Sequence, residues 1–265
     1  MANPAFRTAA FGQAPARKGQ LQQTLSAEQL DQLYGRPAAG PVETDRMSLD
    51  DVIVKTLVTL GVLLVGAVIG FNLYFLYIPF IFVGFALAMV NIFKKQPSAP
   101  LVLAYGFAEG VFVGGLSRVV ESVWPGIIYQ ALLGTAIVFG ITLVLFATGK
   151  VRESKRATKV FLIAISAYAL FSLINFVLQI TGINSDAWGL YSGVMLFGKI
   201  PLGLIIGPLA ILLAAYSLVM DFSAIQNGIA QGAPRRWGWR GAFGLTVTIV
   251  WLYVEILRLI GIVRN

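Results

Sequence analysis

Neither cysteine nor histidine occurs among the 265 residues of the chain. The first absence excludes a disulfide framework, a thiolate nucleophile and a zinc-thiolate site, and it leaves the redox compartment undetermined. The second removes the commonest general base, the usual transition-metal ligand and any Ser-His catalytic pair. Whatever ionises here is a carboxylate, a lysine, an arginine or a tyrosine. Charge itself is scarce: Asp, Glu, Lys and Arg make up 12% of the residues, about half the share of an ordinary soluble domain. With so little catalytic chemistry available, an enzyme is not expected, and no cofactor is expected beyond a cation such as calcium.

What the chain has instead is apolar mass. Hydrophobic residues reach 57% and the mean hydropathy is +0.80, more apolar surface than one aqueous core hides. The apolar residues come in blocks that match the roughly 20 helical residues needed to cross about 30 Å of hydrocarbon. The fold class is therefore read as an all-α integral membrane protein, a bundle of seven transmembrane helices with the lipid bilayer as partner. The spans read as 52–69, 73–93, 99–117, 126–147, 160–180, 201–220 and 242–262.

A net charge of +8 would suggest nucleic acid in a soluble protein, but here its distribution among loops gives it another meaning, and no nucleic acid is expected. Lys94 and Lys95 follow the second span. Lys150, Arg152, Lys155, Arg156 and Lys159 follow the fourth, and Arg235, Arg236 and Arg240 follow the sixth. The alternate loops hold only Arg118, Lys199 and Arg264. Cytoplasmic loops carry the excess of Lys and Arg. This asymmetry predicts a multi-pass protein of the cell (inner or plasma) membrane with its N-terminus in the cytoplasm and its C-terminus outside.

Residues 1–47, rich in Ala, Gln, Pro and Arg, read as a disordered or partly helical cytoplasmic tail ahead of a transmembrane domain over 48–265. The tail is not expected to be a signal peptide, because its basic residues are not followed by a short apolar core and a small-residue cleavage site. Within it, 26–34 (SAEQLDQLY) has the pattern of a short surface helix capped by Ser26, with Gln29 completing a capping box. A second capping signal, Ser48 followed by Asp51, opens the first span.

Gly106, Gly110 and Gly114 in the third span and Gly203 and Gly207 in the sixth recur at four-residue spacing, the pattern that brings two membrane helices close. Such ridges are either a tightly packed gating pair or ordinary helix contacts. Tyr168, Ser172, Asn175 and Gln179 share one face of the fifth helix. They either line a wet passage, with Glu109 of the third helix, or hydrogen-bond between helices. Glu109 lies about 15 Å into its span, near the midplane.

Acids inside a bilayer are costly and usually face a bundle interior or water. Besides Glu109 the candidates are Asp221, closing the sixth span, and Glu255 in the seventh, with Arg258 one turn further on. Arg258 at i+3 can pair locally with Glu255, and Asp221 can be a plain interfacial residue. If Asp221 and Glu255 instead lie together, they share protons and titrate as a unit, or hold calcium with carbonyls, waters or Glu109 supplying the remaining ligands. On the predicted spans the two acids differ in depth by about 15–20 Å, so a pair requires tilt, later helix starts or a broken helix. Lys55, one turn into the first helix, is expected to snorkel to the headgroups.

The stretch MDFSAIQNG at 220–228, the LYVEILRLIGI at 252–262 and the AYGFAEGVFVGG of the third helix resemble the Bax inhibitor 1 (transmembrane Bax inhibitor motif) family, in a bacterial form, over about 49–263. The resemblance implies a bundle whose seventh helix is central. It also implies a slow, pH-sensitive calcium leak governed by two acids on the last two helices, here matched by Asp221 and Glu255, with Glu in place of the second Asp. Some relatives carry an acid in the second helix; this chain has none there, and Glu109 is its nearest substitute. The function expected is a pH-sensitive calcium or cation leak channel gated by that carboxylate pair. The alternative is a non-transporting adaptor for a membrane protease or other stress-response partner, to which the unassigned tail points.

Overall fold

A computed structural model describes residues 45–184 and 186–265. Seven long helices are apolar enough to cross a membrane: α1 (Leu49–Asn72), α2 (Tyr77–Phe93, entered through a 3-10 turn at Tyr74–Leu76), α3 (Ala99–Val123), α4 (Ile127–Ala147), α5 (Lys155–Ile180), α6 (Gly203–Ala230) and α7 (Gly238–Arg264). Between α5 and α6 the chain makes one helical turn at Leu190–Gly193 and a two-residue antiparallel ladder, Met195–Leu196 with Ile200–Pro201. The expectation of a seven-helix membrane bundle holds. The proposed helix at 26–34, and the tail before residue 45, lie outside the described residues.

Every expected span exists, but most are longer than the apolar runs. The sixth continues ten residues past Met220 to Ala230. Its added turns, DFSAIQNGIA, are polar on one side only and keep burying Phe222 and Ile225, so tertiary packing extends the helix beyond its lipid-length core. The first starts three residues early because Ser48 accepts a hydrogen bond from the Asp51 N–H at 3.3 Å, as the capping signal predicts. Ser48→Ala is expected to cost about 0.5–2 kcal/mol, readable as a small fall in melting temperature in detergent.

α7 is the most buried of the seven helices and packs against α1, α3, α4 and α6, which makes it the central one. Its buried face runs from Ala242 through Leu245, Leu252 and Tyr253 to Ile262. The other faces of α1, α2, α4 and α5 present Leu, Val, Ile and Phe outward, where lipid rather than water is the solvent.

The closest helix pair is α1 with α3. A Cβ at Gly110 would fall on the carbonyl oxygen of Leu63, and one at Gly114 on that of Ala67. From the other side, Gly66 and Gly70 meet the carbonyls of Phe107 and Val111. The glycine ridge of α3 is thus met by a second glycine ridge on α1, backbone to backbone. Gly106 lies against Thr59. Gly203 and Gly207 serve a different contact, receiving Ile262 and Leu259 of α7.

At the basic end the helices are stapled by charge. Lys55, expected to snorkel, is instead buried: its ammonium donates to Asp51 and, at 2.7 Å, to the Arg235 carbonyl. Arg235 donates to the other oxygen of Asp51 at 2.9 Å. Arg236 reaches Gln96, and Arg240 reaches the carbonyls of Ile92 and Lys94. The last residues of the expected tail are also ordered: the Met47 N–H donates to Ala233, the Arg235 N–H to Asp45, and Met47 is buried. Apolar Met47 lies beside Gly228.

Candidate functional site

Two acidic stations lie on the inward side of α6 and α7. Asp221, two and a half turns before the end of α6, is half-buried, and the Thr248 hydroxyl of α7 donates to its Oδ2 at 2.7 Å. The other oxygen faces Gly244, where a Cβ would stand 3.1 Å away. Thr248 is also 3.4 Å from the Ser217 hydroxyl. The residue of the last helix that meets Asp221 is therefore a threonine. A hydroxyl donor holds a carboxylate in place without sharing its proton.

Glu255 is seven residues beyond Thr248, about 10 Å further along α7. It is only 2% exposed and has three partners of its own. Arg258, at i+3, forms an ion pair with it. The Tyr168 hydroxyl of α5 donates to the same carboxylate, as does the Trp251 indole N–H at 3.0 Å. Tyr168 in turn accepts from Arg258 at 2.7 Å. Over the guanidinium lies the ring of Tyr191, its centroid 3.8 Å from the central carbon. A buried ion pair survives in a low-dielectric setting only when the remaining donors and acceptors are met, and here Tyr168 and Trp251 meet them.

The structure thus does not bring Asp221 and Glu255 together. Asp221 stands level with Thr248, seven residues short of Glu255, so a mismatch in depth of about 10 Å remains, and each acid is turned to a partner on its own level. They do not form one calcium site, and among the described residues no three acidic side chains converge. The local pairing of Arg258 with Glu255, open on the spacing alone, is the arrangement found.

Glu109 stands apart from both. It opens into a cavity of about 270 Å³ between α2 and α3, lined also by Tyr105, Phe85 and Phe112. Gly84 leaves the room for it, since a Cβ there would be 2.8 Å from a Glu109 oxygen. The expected passage joining Glu109 with Asn175 and Gln179 is not assembled. Asn175 accepts from the Leu190 N–H at 2.6 Å, and Gln179 reaches the Asp186 carbonyl at 3.5 Å. Both amides hold the segment that follows α5.

That segment is the part of the site that sequence reasoning missed. Tyr191 is 1% exposed, its hydroxyl 2.9 Å from that of Ser172 and its ring edge-on to Phe171 at 5.0 Å. Trp188 stacks on Trp124 at 6.2 Å and covers Gly261 of α7. A short turn outside the spans therefore closes the far end of the bundle directly over Arg258. Thr248 and Trp251 were equally unmarked, although Trp251 lies at i−4 from Glu255 and so on the same face.

Comparison with known proteins agrees with this architecture. The family described as Bax inhibitor 1 like matches residues 3–265, nearly the whole chain, and the protein belongs to that family. The match reaches into the N-terminal segment that the motifs alone left unassigned. No curated protein matches the chain.

Proposed function

We propose, from that membership, that the protein is a pH-sensitive leak for calcium or another cation. In this reading it is a conduit and not an enzyme, with Asp221 and Glu255 as successive acidic stations and Arg258 as the latch on the second. The observation that carries the reading is Glu255, a carboxylate almost wholly buried on the central helix and answered by the cation one turn further on. Placing a charge at this depth costs about 2.5–3.5 kcal/mol even on the lenient insertion scale. An apolar pair of similar size would often serve packing as well. Carboxylates at two levels supply a hard cation with oxygen ligands in sequence, with waters and carbonyls completing each shell.

The segment that carries Tyr191 and the pair beneath it form the closed gate of this mechanism. Asp221, free of any cation partner among the described residues, is the open station. Protons and the cation compete for the same oxygens, so acidification is expected to reduce the flux. By the excess of Lys and Arg, the end that bears Arg235 faces the cytoplasm of a cell-membrane protein and the C-terminus lies outside.

Full-length protein in liposomes, with calcium entry followed at stepped pH, tests this. Wild-type flux is expected to fall on acidification, and the Asp221→Asn, Glu255→Gln double variant to lose that dependence. Flux unchanged in the double variant would sink the mechanism. If the wild type passes no ion at all, the membrane adaptor becomes the better reading, and partner capture with and without residues 2–45 becomes the decisive experiment.

A further inference from the structure

At the basic end, α5 and α6 do not close on each other. They touch where the Thr158 and Tyr216 hydroxyls lie 3.1 Å apart and where Phe161 tilts onto Tyr216 at 5.5 Å. Beside that line a cavity of about 930 Å³ stays open. Its walls are one face of α5 and the last turns of α6, and its floor is the loop that leaves α4.

The lining is layered. Lys155 and Lys159 of α5 and Arg152 of the loop stand at the mouth, with Glu153 as the one acid. Across from them Ser223, Gln226 and Asn227 of α6 offer hydroxyl and amide groups. Arg152 is already engaged, donating to Gln226 at 3.3 Å and resting over Phe146. Among the described residues neither lysine has an acidic partner. One to two turns further along the same face of α5, the wall turns apolar at Leu162 and Ile163, which are 53% and 65% exposed.

Cations and hydrogen-bond donors at the membrane face, followed one to two turns deeper by lipid-facing aliphatic side chains, match one kind of molecule along its length. A soluble anion makes no use of the apolar wall. A zwitterionic lipid makes little use of two unpaired lysines. Basic pockets between membrane helices select acidic headgroups on these grounds. We propose that this cavity binds an anionic phospholipid from the leaflet at the basic end. Its phosphate lies between Lys155 and Lys159 with Asn227 as a donor, and its first acyl carbons lie on Leu162 and Ile163. The assignment is independent of whether ions cross the bundle.

Native mass spectrometry of the full-length protein, released from detergent with phosphatidylglycerol or phosphatidylcholine of equal chain length, tests it. Phosphatidylglycerol is expected to stay bound at a concentration at least tenfold lower than phosphatidylcholine. The Lys155→Gln, Lys159→Gln variant should lose that preference, while Lys94→Gln, Lys95→Gln, with the same charge removed at the end of α2, should keep it. Ser223→Phe, which fills the cavity without touching a charge, should also lose it. Equal retention of the two lipids, equal loss in the two lysine variants, undiminished binding in Ser223→Phe, or full displacement by inorganic phosphate would each overturn the proposal.

Discussion

Arg258→Leu is expected to destabilise the protein by about 3–5 kcal/mol, the usual cost of removing one partner from a buried ion pair. The loss comes from what stays behind. Glu255 would keep its burial and the donors Tyr168 and Trp251 but lose its only cationic partner among the described residues. Tyr168 would lose the guanidinium that donates to it, and Tyr191 the cation beneath its ring. Thermal unfolding in detergent reads the effect. Adding Glu255→Gln should restore most of the stability, because the amide is neutral and still accepts from Tyr168. Arg258→Lys should recover only part, since an ammonium lacks the planar, multiply donating guanidinium that lies under Tyr191. A single variant as stable as the wild type would mean that the pair is not what fastens α5 and the closing turn to the central helix.

The second large effect is expected at Gly110. Leucine there has no room, because its first carbon would already clash with the Leu63 carbonyl oxygen, and the α1 backbone cannot yield as a side chain can. Overpacking a core costs about 1–3 kcal/mol where side chains can shift. Here the two helices themselves must part, so folded yield should fall severely. Gly140→Ala in α4, where nothing lies within 4 Å of the new carbon, is the matched control. It should gain up to about 1 kcal/mol, the ordinary advantage of alanine over glycine inside a helix. Fluorescence-detected size-exclusion chromatography of both variants separates local crowding from a general intolerance of glycine replacement.

Legibility in the sequence followed the physics of each feature. Helices that must satisfy their own backbone in lipid announce themselves as long apolar runs, and all seven could be read. Their ends could not, because the turns beyond the hydrocarbon are set by contacts such as Phe222 and Ile225 on the core. The Glu255–Arg258 pair was readable because i+3 spacing alone brings the two side chains within reach. The partner of Asp221 was not, since it depends on the register between α6 and α7. Pairing acids by chemical type pointed to Glu255, whereas depth selects Thr248. Tyr191 gave no signal at all, lying in a segment without periodicity, and only the folded chain carries it onto Arg258.

The interlocked glycines of α1 and α3 also limit where the molecule has freedom to move. With four glycines set against opposing carbonyls, sliding or rotating one helix against the other would drive main chain into main chain, so the two behave as one stiff strut. α7 is wedged against both. α5 buries only Phe161 and Asn175 and touches the centre chiefly through Tyr168, so it has the least packing to give up. Displacing it would withdraw the Tyr168 hydroxyl from Glu255 while the strut and the central helix kept their places. Slow excursions of this bundle therefore belong to its rim, with one tyrosine as the hinge between a mobile outer helix and a fixed core.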